Sequence, residues 1–299
     1  KSPMVEWLLS HLEKDFKLAT LSRGYKRKTK GYALAGPDST ALDIGDEPMQ
    51  FHLKFPDIPV AVGEERLLAI PELLHDHPET EVIILDDAFQ HRKIKAGLNI
   101  MLTEQSNLFC HDLYLPAGDL RDLKSSYKRA DIIVVTKCDP GLNEKEAERI
   151  KKEIKLLPHQ TLYFTSIEYG KPYHICNKQE RSLEPGTEVL LVTGIANPKP
   201  LKKWLEAGSG AYLMLQYPDH HIFSIDDLQD IRRKFRDLDE ANPLILTTEK
   251  DAVRLDKFNT DMADLPFYVI PVSHHFLFNG TDPFRAQVVD FIRNFKRTN

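Results

Sequence analysis

The sequence predicts an α/β protein built on a doubly wound parallel sheet, with a second, smaller α/β domain. Short aliphatic runs rich in β-branched residues, such as 82–85 and 130–135, are typical of strands buried on both faces of a parallel sheet. Segments with helical periodicity separate these runs along most of the chain, which favours β-α-β connections. At 299 residues the chain is long enough for two domains.

Composition narrows the class of protein. An apolar content of 41% and a charged content of 28% indicate a globular protein, and a net charge of −5 gives no reason to expect nucleic acid as a partner. Cys110, Cys138 and Cys176 have neither metal-site spacing nor a disulfide pattern, as expected in a reducing cytoplasm. No apolar run approaches the roughly 18 residues of a membrane span, which leaves peripheral contact with a membrane surface possible.

The first part, 1–160, is predicted to be a nucleotide-binding domain. Helical periodicity begins after Pro3, where the missing N–H of proline needs no partner. A further helix is expected to begin within 45–48 and another to span 64–77. The predicted strands are 17–21, 59–62, 82–85, 98–102 and 130–135.

The pattern changes near residue 160. A strand-like run over 161–167 is broken at 169–172 and is followed by a polar stretch, so we predict an extended ribbon linker over 161–186. A second α/β domain is then predicted over 187–299. Its expected strands are 188–194, 211–215, 243–248 and 267–271, and its expected helices begin near Asn197-Pro198 and span 226–238 and 283–295.

Lys1-Ser2, just before the first helix, matches the end of a P-loop, Gly-x-x-x-x-Gly-Lys-Ser/Thr. In that loop the lysine reaches the β- and γ-phosphates and the hydroxyl binds Mg²⁺. The strand and glycine-rich loop of such a motif are expected upstream of Lys1. A simple helix cap is the commoner explanation of a Lys-Ser pair alone.

Two adjacent acids, Asp86 and Asp87, end the strand 82–85. Ligands of open α/β sheets bind at the carboxyl ends of the strands, and an aspartate in this place holds Mg²⁺ against phosphates in nucleotide-binding folds. The alternative is an Asp-Asp turn that follows a core strand.

Three further segments carry candidate chemistry. The basic run from Arg23 to Lys30 is a candidate anion site or a solvated loop. Asp219-His220-His221 is an acid/base candidate or a surface pair of histidines, and no third metal ligand has a suitable spacing. Thr136-Lys137-Cys138-Asp139 is similar to the Asn-Lys-x-Asp motif of GTPases, so the alternative function is a GTP-binding switch or a metallochaperone-like module. Residues 247–251 are read as a helix N-cap with a charged first turn.

Taken together, the motifs resemble those of the tetraacyldisaccharide 4′-kinases of lipid A biosynthesis. The matching segments run in order along nearly the whole chain: 1–3, 22–25, 45–48, 86–91, 115–121, 193–198, 219–223 and 247–253. Ser2 stands where threonine is usual, Ala88 where glycine is usual and Asp119 where proline is usual. Ala88 is expected to have a negative φ or slight backbone strain.

The resemblance implies an ATP- and Mg²⁺-dependent kinase with a P-loop NTPase-like fold. Its substrate would be the 4′-hydroxyl of a tetraacyldisaccharide 1-phosphate, its product lipid IVA, and its place the cytoplasmic face of a bacterial inner membrane. Oligomeric state stays open. Lys1 and Ser2 would bind ATP, with Lys1 also catalytic, and Ser2 and Asp87 would hold Mg²⁺.

The resemblance also assigns the residues around the sugar. Asp86, paired with His220, would take the proton from the hydroxyl group. The candidates for substrate binding are Arg23, Arg121, Gln90 and His91. Because His220 lies in the second half of the chain, the two halves are expected to close over the reaction.

Overall fold

A computed structural model describes residues 1–208, 211–238 and 242–295. Its first half contains α1 (Ser2–Leu12), β1 (Leu18–Ser22), β2 (Ala33–Leu34), α2 (Ala41–Ile44), α3 (Asp46–Lys54), β3 (Val60–Val62), α4 (Arg66–Asp76), β4 (Val82–Leu85), β5 (Ile100–Glu104), β6 (Ile132–Thr136) and α5 (Glu144–Ile154).

The second half contains β7 (Thr161–Tyr169), β8 (Tyr173–His174), β9 (Val189–Thr193), α6 (Lys199–Gly208), β10 (Tyr212–Gln216), α7 (Ile225–Arg236), β11 (Leu244–Thr248), α8 (Glu249–Leu255), α9 (Asn259–Met262), β12 (Phe267–Ile270), β13 (Val272–Phe276) and α10 (Thr281–Asn294). Every predicted strand is present within two residues of its predicted bounds, whereas β2, β8 and β13 were not predicted.

The strands form three hydrogen-bonded sheets, with the orders β2-β3-β1-β4, β13-β7-β6-β5 and β10-β9-β11-β12-β8. The core pairings are parallel: β1 pairs with β3 and β4, β6 with β5 and β7, and β9 with β10 and β11. The aliphatic residues of β6 and β9 are fully buried because each strand has a parallel neighbour on both sides. The predicted α/β class with parallel sheets is confirmed.

The segment predicted to be a linker over 161–186 requires a correction. Its first part is β7, which pairs in parallel with β6 and antiparallel with β13 and so extends a sheet of the first half. The next part, β8, pairs with β12 in the sheet of the second half. A polar sequence with Gly170 and Pro172 resembles a linker, but the antiparallel partners of β7 and β8, which are β13 and β12, come only near the end of the chain.

The boundary at 187–299 also differs from the strand pairing, because the end of the chain returns to the first half. Strand β13 joins the sheet of β5 and β6, and α10 packs on α1. Phe284 of α10 is fully buried against Trp7, Tyr163 and Phe276, with ring centroids 4.6–5.2 Å apart. The division of the chain into two domains stays a prediction, and its continuous boundaries are not those of the sheets.

Helix α1 is the centre of the largest apolar cluster. Its buried side chains contact residues of β3 and β6, α3 and α10, and partly buried residues of β4 and β5 pack against the same cluster. Strands β4 and β5 are not hydrogen-bonded to each other, yet both contribute to this common core. The core therefore fixes the helix that begins at Lys1-Ser2 relative to the strand that ends at Asp86.

A buried charge cluster joins α1, α3 and α8. The Lys54 ammonium lies 2.6 Å from the Glu6 carboxylate and 2.7 Å from that of Glu249, and Gln50 donates a hydrogen bond to Glu6. Both carboxylates are almost completely buried. Burial, together with the neighbouring charge of Glu249, raises the pKa of Glu6 to about 7.

Within the described residues, each helix is either too short or insufficiently apolar to cross a bilayer.

We expect Phe284→Ala to lower the free energy of unfolding by about 3–5 kcal/mol, because the substitution leaves a cavity between α10, β13 and α1. Phe295→Ala is the matched control, since more than half of the Phe295 side chain is exposed, and it should change stability by about 0.5 kcal/mol or less. Urea-induced unfolding measures both values. Equal effects of the two substitutions would show that α10 is not anchored in this core.

The Glu6 carboxyl should make stability depend on pH. Between about 4.5 and about 7 the folded protein keeps a proton on Glu6 that the unfolded chain has released, so this group makes stability fall as the pH rises. Glu6→Gln should remove that contribution, which is on the order of 1–3 kcal/mol. Unfolding measured from pH 5 to pH 8 tests this, with Glu13→Gln at an exposed position as control. An unchanged slope in Glu6→Gln would contradict the assignment.

Candidate active site

Lys1, Asp87 and Arg121 meet at the carboxyl end of β4. The Lys1 ammonium lies 2.6 Å from Asp87 Oδ1, and Arg121 binds both carboxylate oxygens, at 2.6 and 3.1 Å. All three side chains are between one-third and about one-half exposed, so the ion pairs are open to solvent and to ligands. Ser2 is the first residue of α1, directly beside Lys1. Two cations from separate elements thus converge on one acid.

The two adjacent acids have opposite pKa shifts. Partial burial of Asp87 disfavours its charge, but hydrogen bonds from Arg121 and Lys1 outweigh burial and lower its pKa to about 2. Burial of Asp86 raises its pKa, and the nearby carboxylates of Asp87 and Glu47 act in the same direction, against the positive charge of Lys1. Asp87 is therefore a firmly ionised group, and Asp86 holds a proton more readily than an ordinary aspartate.

The backbone around the acids agrees with the expectation of a negative φ for Ala88, which is not among the residues with positive φ. The residue in the left-handed region is Asp87, with a φ of +48°. Aspartate adopts such a φ more often than most residues do. The Asp87 carboxylate contacts Lys1 and Arg121.

The loop that carries Arg121 is an ordered turn. Leu113 and Leu115 each form a backbone hydrogen bond with Leu120, which closes the loop below Arg121. The N–H of Asp119 donates to the Asp112 carboxylate at 3.2 Å. Proline at position 119 has no N–H and would lack this bond, which gives the departure from the family pattern a local role.

Arg23, Arg66 and His91 form a cluster of two guanidinium groups and one imidazole beside the two acids. Burial lowers the pKa of Arg66, and Arg23 lowers it further, whereas Asp86 and Asp87 oppose the shift. Burial also lowers the pKa of His91, with Arg66 and Arg23 among the causes. The buried Arg66 Nε and His91 Nε2 have no partner among the described residues, and neither has the exposed Arg23 guanidinium. The arrangement is typical of an anion site.

The predicted substrate residues are thus only partly brought together. Arg23 and His91 lie in this cationic cluster, whereas Arg121 lies on Asp87. Gln90 is exposed in the turn after β4, where its backbone carbonyl accepts a hydrogen bond from Arg92.

The predicted pairing of Asp86 with His220 is absent from this structure, because His220 is paired with another acid. His220 Nδ1 lies 2.7 Å from Asp46 Oδ2, and Arg254 donates to the same oxygen at 2.6 and 3.0 Å. Burial disfavours the charge of Asp46, but these hydrogen bonds outweigh it and lower its pKa. The sequence motif indicated the histidine correctly as a member of a polar cluster, but not its carboxylate partner.

The tautomer of His220 follows from this pairing. Because an ionised Asp46 can only accept a hydrogen bond, Nδ1 of His220 donates, which leaves Nε2 as the atom that can take up a proton. The nearest acid to Nε2 is Asp219, 3.6 Å away and partly exposed. His220 itself has a φ of +63°, and its N–H bonds to the Gly194 carbonyl oxygen. The contact of Nδ1 with Asp46 and the backbone hydrogen bond to Gly194 therefore hold the ring in one orientation.

Arg254 is in turn fixed by Asp251, which lies behind it. Arg254 Nη1 is 3.2 Å from Asp251 Oδ1, while Asp251 Oδ2 accepts hydrogen bonds from Thr193, Gly194 and Thr248. Thr248 also caps α8, as the sequence predicts. The segments 193–198 and 247–253 therefore support the guanidinium that contacts Asp46.

Two glycines bring the first-half loops to His220. Gly24 has a φ of +70°, and an added Cβ there would lie 2.9 Å from the Ile44 carbonyl oxygen; Gly45 has a φ of +96°, and an added Cβ there would lie 3.2 Å from the Tyr25 carbonyl oxygen. Only glycine fits such close backbone contact at positive φ. As a result Tyr25, next to Gly24, lies edge-on to the His220 ring at 5.9 Å, and Asp46, next to Gly45, reaches Nδ1.

His221 has a different environment. Its Nε2 lies 2.9 Å from Asp227 and its ring stacks on Tyr217 at 4.7 Å. Asp227 also closes the capping box at the start of α7 with Ser224. These contacts make His221 part of the local fold, and His220 the histidine of the polar cluster.

The GTPase-like segment 136–139 has no free specificity group. The Asp139 carboxylate accepts a hydrogen bond from the N–H of Gly141 within its own turn, and Lys137 pairs with Glu104. No observation in the described part of the chain favours the GTP-binding switch or the metallochaperone-like module.

Sequence analysis missed Asp46, Glu47, Arg66 and Arg254 as members of the site. Asp46 and Glu47 lie in the segment 45–48, which was expected to begin a helix and was among the segments that resemble the family. Their adjacency was the available signal, since Asp86 and Asp87 are also adjacent acids. Glu47 pairs with Lys250 at 2.9 Å and lies close enough to Asp86 to affect its pKa. Arg66 and Arg254 carried no motif signal.

This chain is similar to known proteins along nearly its whole length. A family model described as tetraacyldisaccharide-1-P 4′-kinase matches residues 1–293. A tetraacyldisaccharide 4′-kinase of Bacteroides fragilis is 43% identical over 307 residues, covering 99% of this chain and 82% of that protein. One of Phocaeicola vulgatus is 41% identical over 305 residues, covering 99% and 83%.

A solved structure gives the same result for the fold. The crystal structure of LpxK from Aquifex aeolicus in complex with ATP has a TM-score of 0.71 at 24% sequence identity, covering 97% of this chain and 84% of that one. The predicted P-loop NTPase-like α/β fold is thereby confirmed. On the family model and the sequence relatives, the chain belongs to the tetraacyldisaccharide-1-P 4′-kinase family.

Proposed function

We propose that this protein transfers the γ-phosphate of ATP to the 4′-hydroxyl of a tetraacyldisaccharide 1-phosphate, which yields lipid IVA in lipid A biosynthesis. The observation that carries the proposal is the paired arrangement of two constellations in a chain of this family. Lys1, Arg121 and Asp87 supply phosphate-binding cations around an ionised acid, and Asp46 and His220 supply an oriented proton acceptor. Phosphoryl transfer to a sugar hydroxyl needs both.

We assign the binding of the ATP phosphates to Lys1, Ser2 and Arg121. Lys1 and Arg121 contact Asp87, and both are exposed enough to turn toward phosphate oxygens. Their charges would stabilise the negative charge that develops on the transferred group and the leaving phosphate. Since this interaction strengthens in the transition state, Lys1 acts in catalysis as well as in ATP binding.

The residues present fit a magnesium ion. Asp87 is ionised, and Ser2 offers a hydroxyl at the start of α1. No group of three or more metal-ligating side chains occurs in the described residues, as expected for Mg²⁺ held by one or two protein ligands and by substrate phosphates. A bound Mg²⁺ neutralises charge on the phosphate oxygens. Ser2 and Asp87 are its proposed protein ligands.

We assign removal of the proton from the sugar hydroxyl to the Asp46–His220 pair. Asp46 holds Nδ1, so that Nε2 of His220 accepts the proton, and the carboxylate stabilises the imidazolium that results. General-base catalysis of this kind contributes typically about 10²–10⁴-fold. Asp86 is the competing base, since its raised pKa makes it a better proton acceptor than a free aspartate. The pairing of His220 with Asp46 favours the first assignment.

The anion site formed by Arg23, Arg66 and His91 is assigned to the phosphate group of the disaccharide. Arg66 Nε, His91 Nε2 and the Arg23 guanidinium lack partners within the described residues, so a phosphate would bind them without displacing an ion pair. Gln90 lies in the same turn and is a further candidate contact with the sugar. A lipid substrate also requires peripheral contact with a membrane, which we place at the cytoplasmic face of a bacterial inner membrane.

We expect Asp46→Asn and His220→Ala each to lower kcat by about 10²–10³-fold with little change in the KM for ATP. The double variant should lose scarcely more than the worse single variant, because the two residues act as a unit. ATP-dependent phosphorylation of the purified lipid disaccharide, with and without Mg²⁺, measures these constants. His75→Ala, on the exposed side of α4, is the control.

The same assay separates the two candidate bases. In a double-mutant cycle that combines Asp86→Asn with His220→Ala, the losses in kcat should multiply if the two residues act independently. If this pair is non-additive and the Asp46–His220 pair multiplies, the base is Asp86 paired with His220, and our assignment is wrong. Thermal unfolding of each variant distinguishes lost chemistry from a lost fold.

We expect Arg23→Met to raise the KM for the lipid disaccharide about tenfold or more while the KM for ATP stays unchanged, because it removes a charge-assisted contact with phosphate. Arg149→Met on the exposed face of α5 is the matched control. The steady-state constants for both substrates provide the test. A rise in the KM for ATP alone would show that the anion site binds the nucleotide and not the disaccharide.

A further inference from the structure

Helix α4 has apolar side chains on its outer face as well as on its inner face. Ala69 and Leu73 point inward and are fully buried against β1 and β3. Leu67, Pro71 and Leu74 repeat at i, i+4 and i+7 on the outer side, and Leu68 stands beside them. Leu67 is 53% exposed and Leu68 is 66% exposed. Nothing in the described chain covers this outer face.

A basic loop is fixed beside the first turn of α4. The buried guanidinium of Arg27 lies 2.6 Å from the Glu64 carboxylate, which also accepts a hydrogen bond from the N–H of Gly31 at 2.9 Å. Gly31, Tyr32 and Leu68 line one shallow hollow. The turn that precedes Gly31 is therefore held against the start of the helix.

The exposed side chains of this loop are one aromatic ring and three cations. Tyr25 is 64% exposed, and Lys26, Lys28 and Lys30 are exposed and have no ion-pair partner among the described residues. The acids facing them on α4 are Glu65, Glu72 and Asp76, and Asp76 accepts a hydrogen bond from Tyr32. The loop thus presents free positive charge next to exposed leucines.

We propose that the surface formed by Tyr25, Lys26, Lys28, Lys30, Leu67, Leu68 and Leu74 docks the protein on an anionic lipid bilayer. The inference rests on the proposed function for one premise only, which is that the lipid substrate lies in a membrane. The side chains of this surface match an anionic bilayer. Lysines attract anionic headgroups, leucines enter the boundary between headgroups and acyl chains, and an exposed tyrosine suits the membrane–water interface.

The position of this surface relative to the site supports the same occupant. Arg23, in the anion cluster, is two residues before Tyr25, and the Tyr25 ring contacts His220. Arg66, in the same cluster, directly precedes Leu67 in α4. A bilayer against the leucines and lysines would therefore lie next to the groups that we assign to the phosphate and hydroxyl of the lipid.

Sedimentation of the full-length protein with vesicles tests the proposal. One set of vesicles is phosphatidylcholine alone, and the other contains about 30% phosphatidylglycerol. The test variants are Leu67→Ser/Leu68→Ser and Lys26→Gln/Lys28→Gln/Lys30→Gln. Matched controls are Leu213→Ser, whose side chain is 47% exposed on β10, and Lys145→Gln/Lys151→Gln/Lys152→Gln on α5.

We expect both test variants to bind anionic vesicles at least about tenfold more weakly, and the lysine variant to lose most of its salt dependence. The controls should bind like the unaltered protein. Phosphorylation of a detergent-dispersed substrate should stay within about twofold, while phosphorylation of the same lipid in vesicles falls.

Three results would overturn the proposal. They are unchanged vesicle binding in both test variants, equal losses in the controls, and loss of self-association in solution without loss of vesicle binding, which would make the surface an interface between copies. Failure of the proposed function gives a different result. In that case no variant phosphorylates the disaccharide in detergent, while vesicle binding still depends on the seven residues.

Discussion

The Asp46 carboxylate is the point on which the arrangement of the site depends, because it binds two side chains from the other half of the chain. His220 and Arg254 both reach one of its oxygens. Taking these groups out of water is costly, and the cost is offset only when every charge has close partners. Asp251 and its hydroxyl donors provide them for Arg254. Removal of Asp46 would therefore leave a cation and an imidazole without their common acceptor.

Further ion pairs join helices α3 and α8 along their contact. Besides Asp46 and Arg254, Glu47 pairs with Lys250, and Lys54 pairs with Glu249. Lys54 also binds Glu6 of α1, the helix that begins at Lys1. Beside a small apolar cluster of Ile44, Met49, Val62 and Val253, charged contacts thus connect the groups that would hold phosphate with the groups that would accept a proton. Such contacts fix direction and distance, which apolar packing alone does less strictly.

The adjacent acids at the end of β4 illustrate how environment separates identical side chains. Asp87 is turned outward by its positive φ and meets two cations, so it stays charged. Asp86 points into the protein, where burial raises its pKa. One strand end can therefore supply both an ionised group for a metal and a group that keeps a proton. Neither shift is a property of the dipeptide itself.

The sequence by itself determined the parallel α/β class and every strand except β2, β8 and β13. It also indicated Lys1, Asp87, Arg121 and His220 as candidate site residues. Aliphatic runs and motif residues are local, and local patterns can be read from a chain. Only the tertiary structure decided that 161–169 joins a sheet of the first half, that α10 returns to α1, and that His220 pairs with Asp46 instead of Asp86. The β7–β13, α10–α1 and His220–Asp46 contacts join residues more than a hundred positions apart, and no periodicity encodes which carboxylate an imidazole will meet.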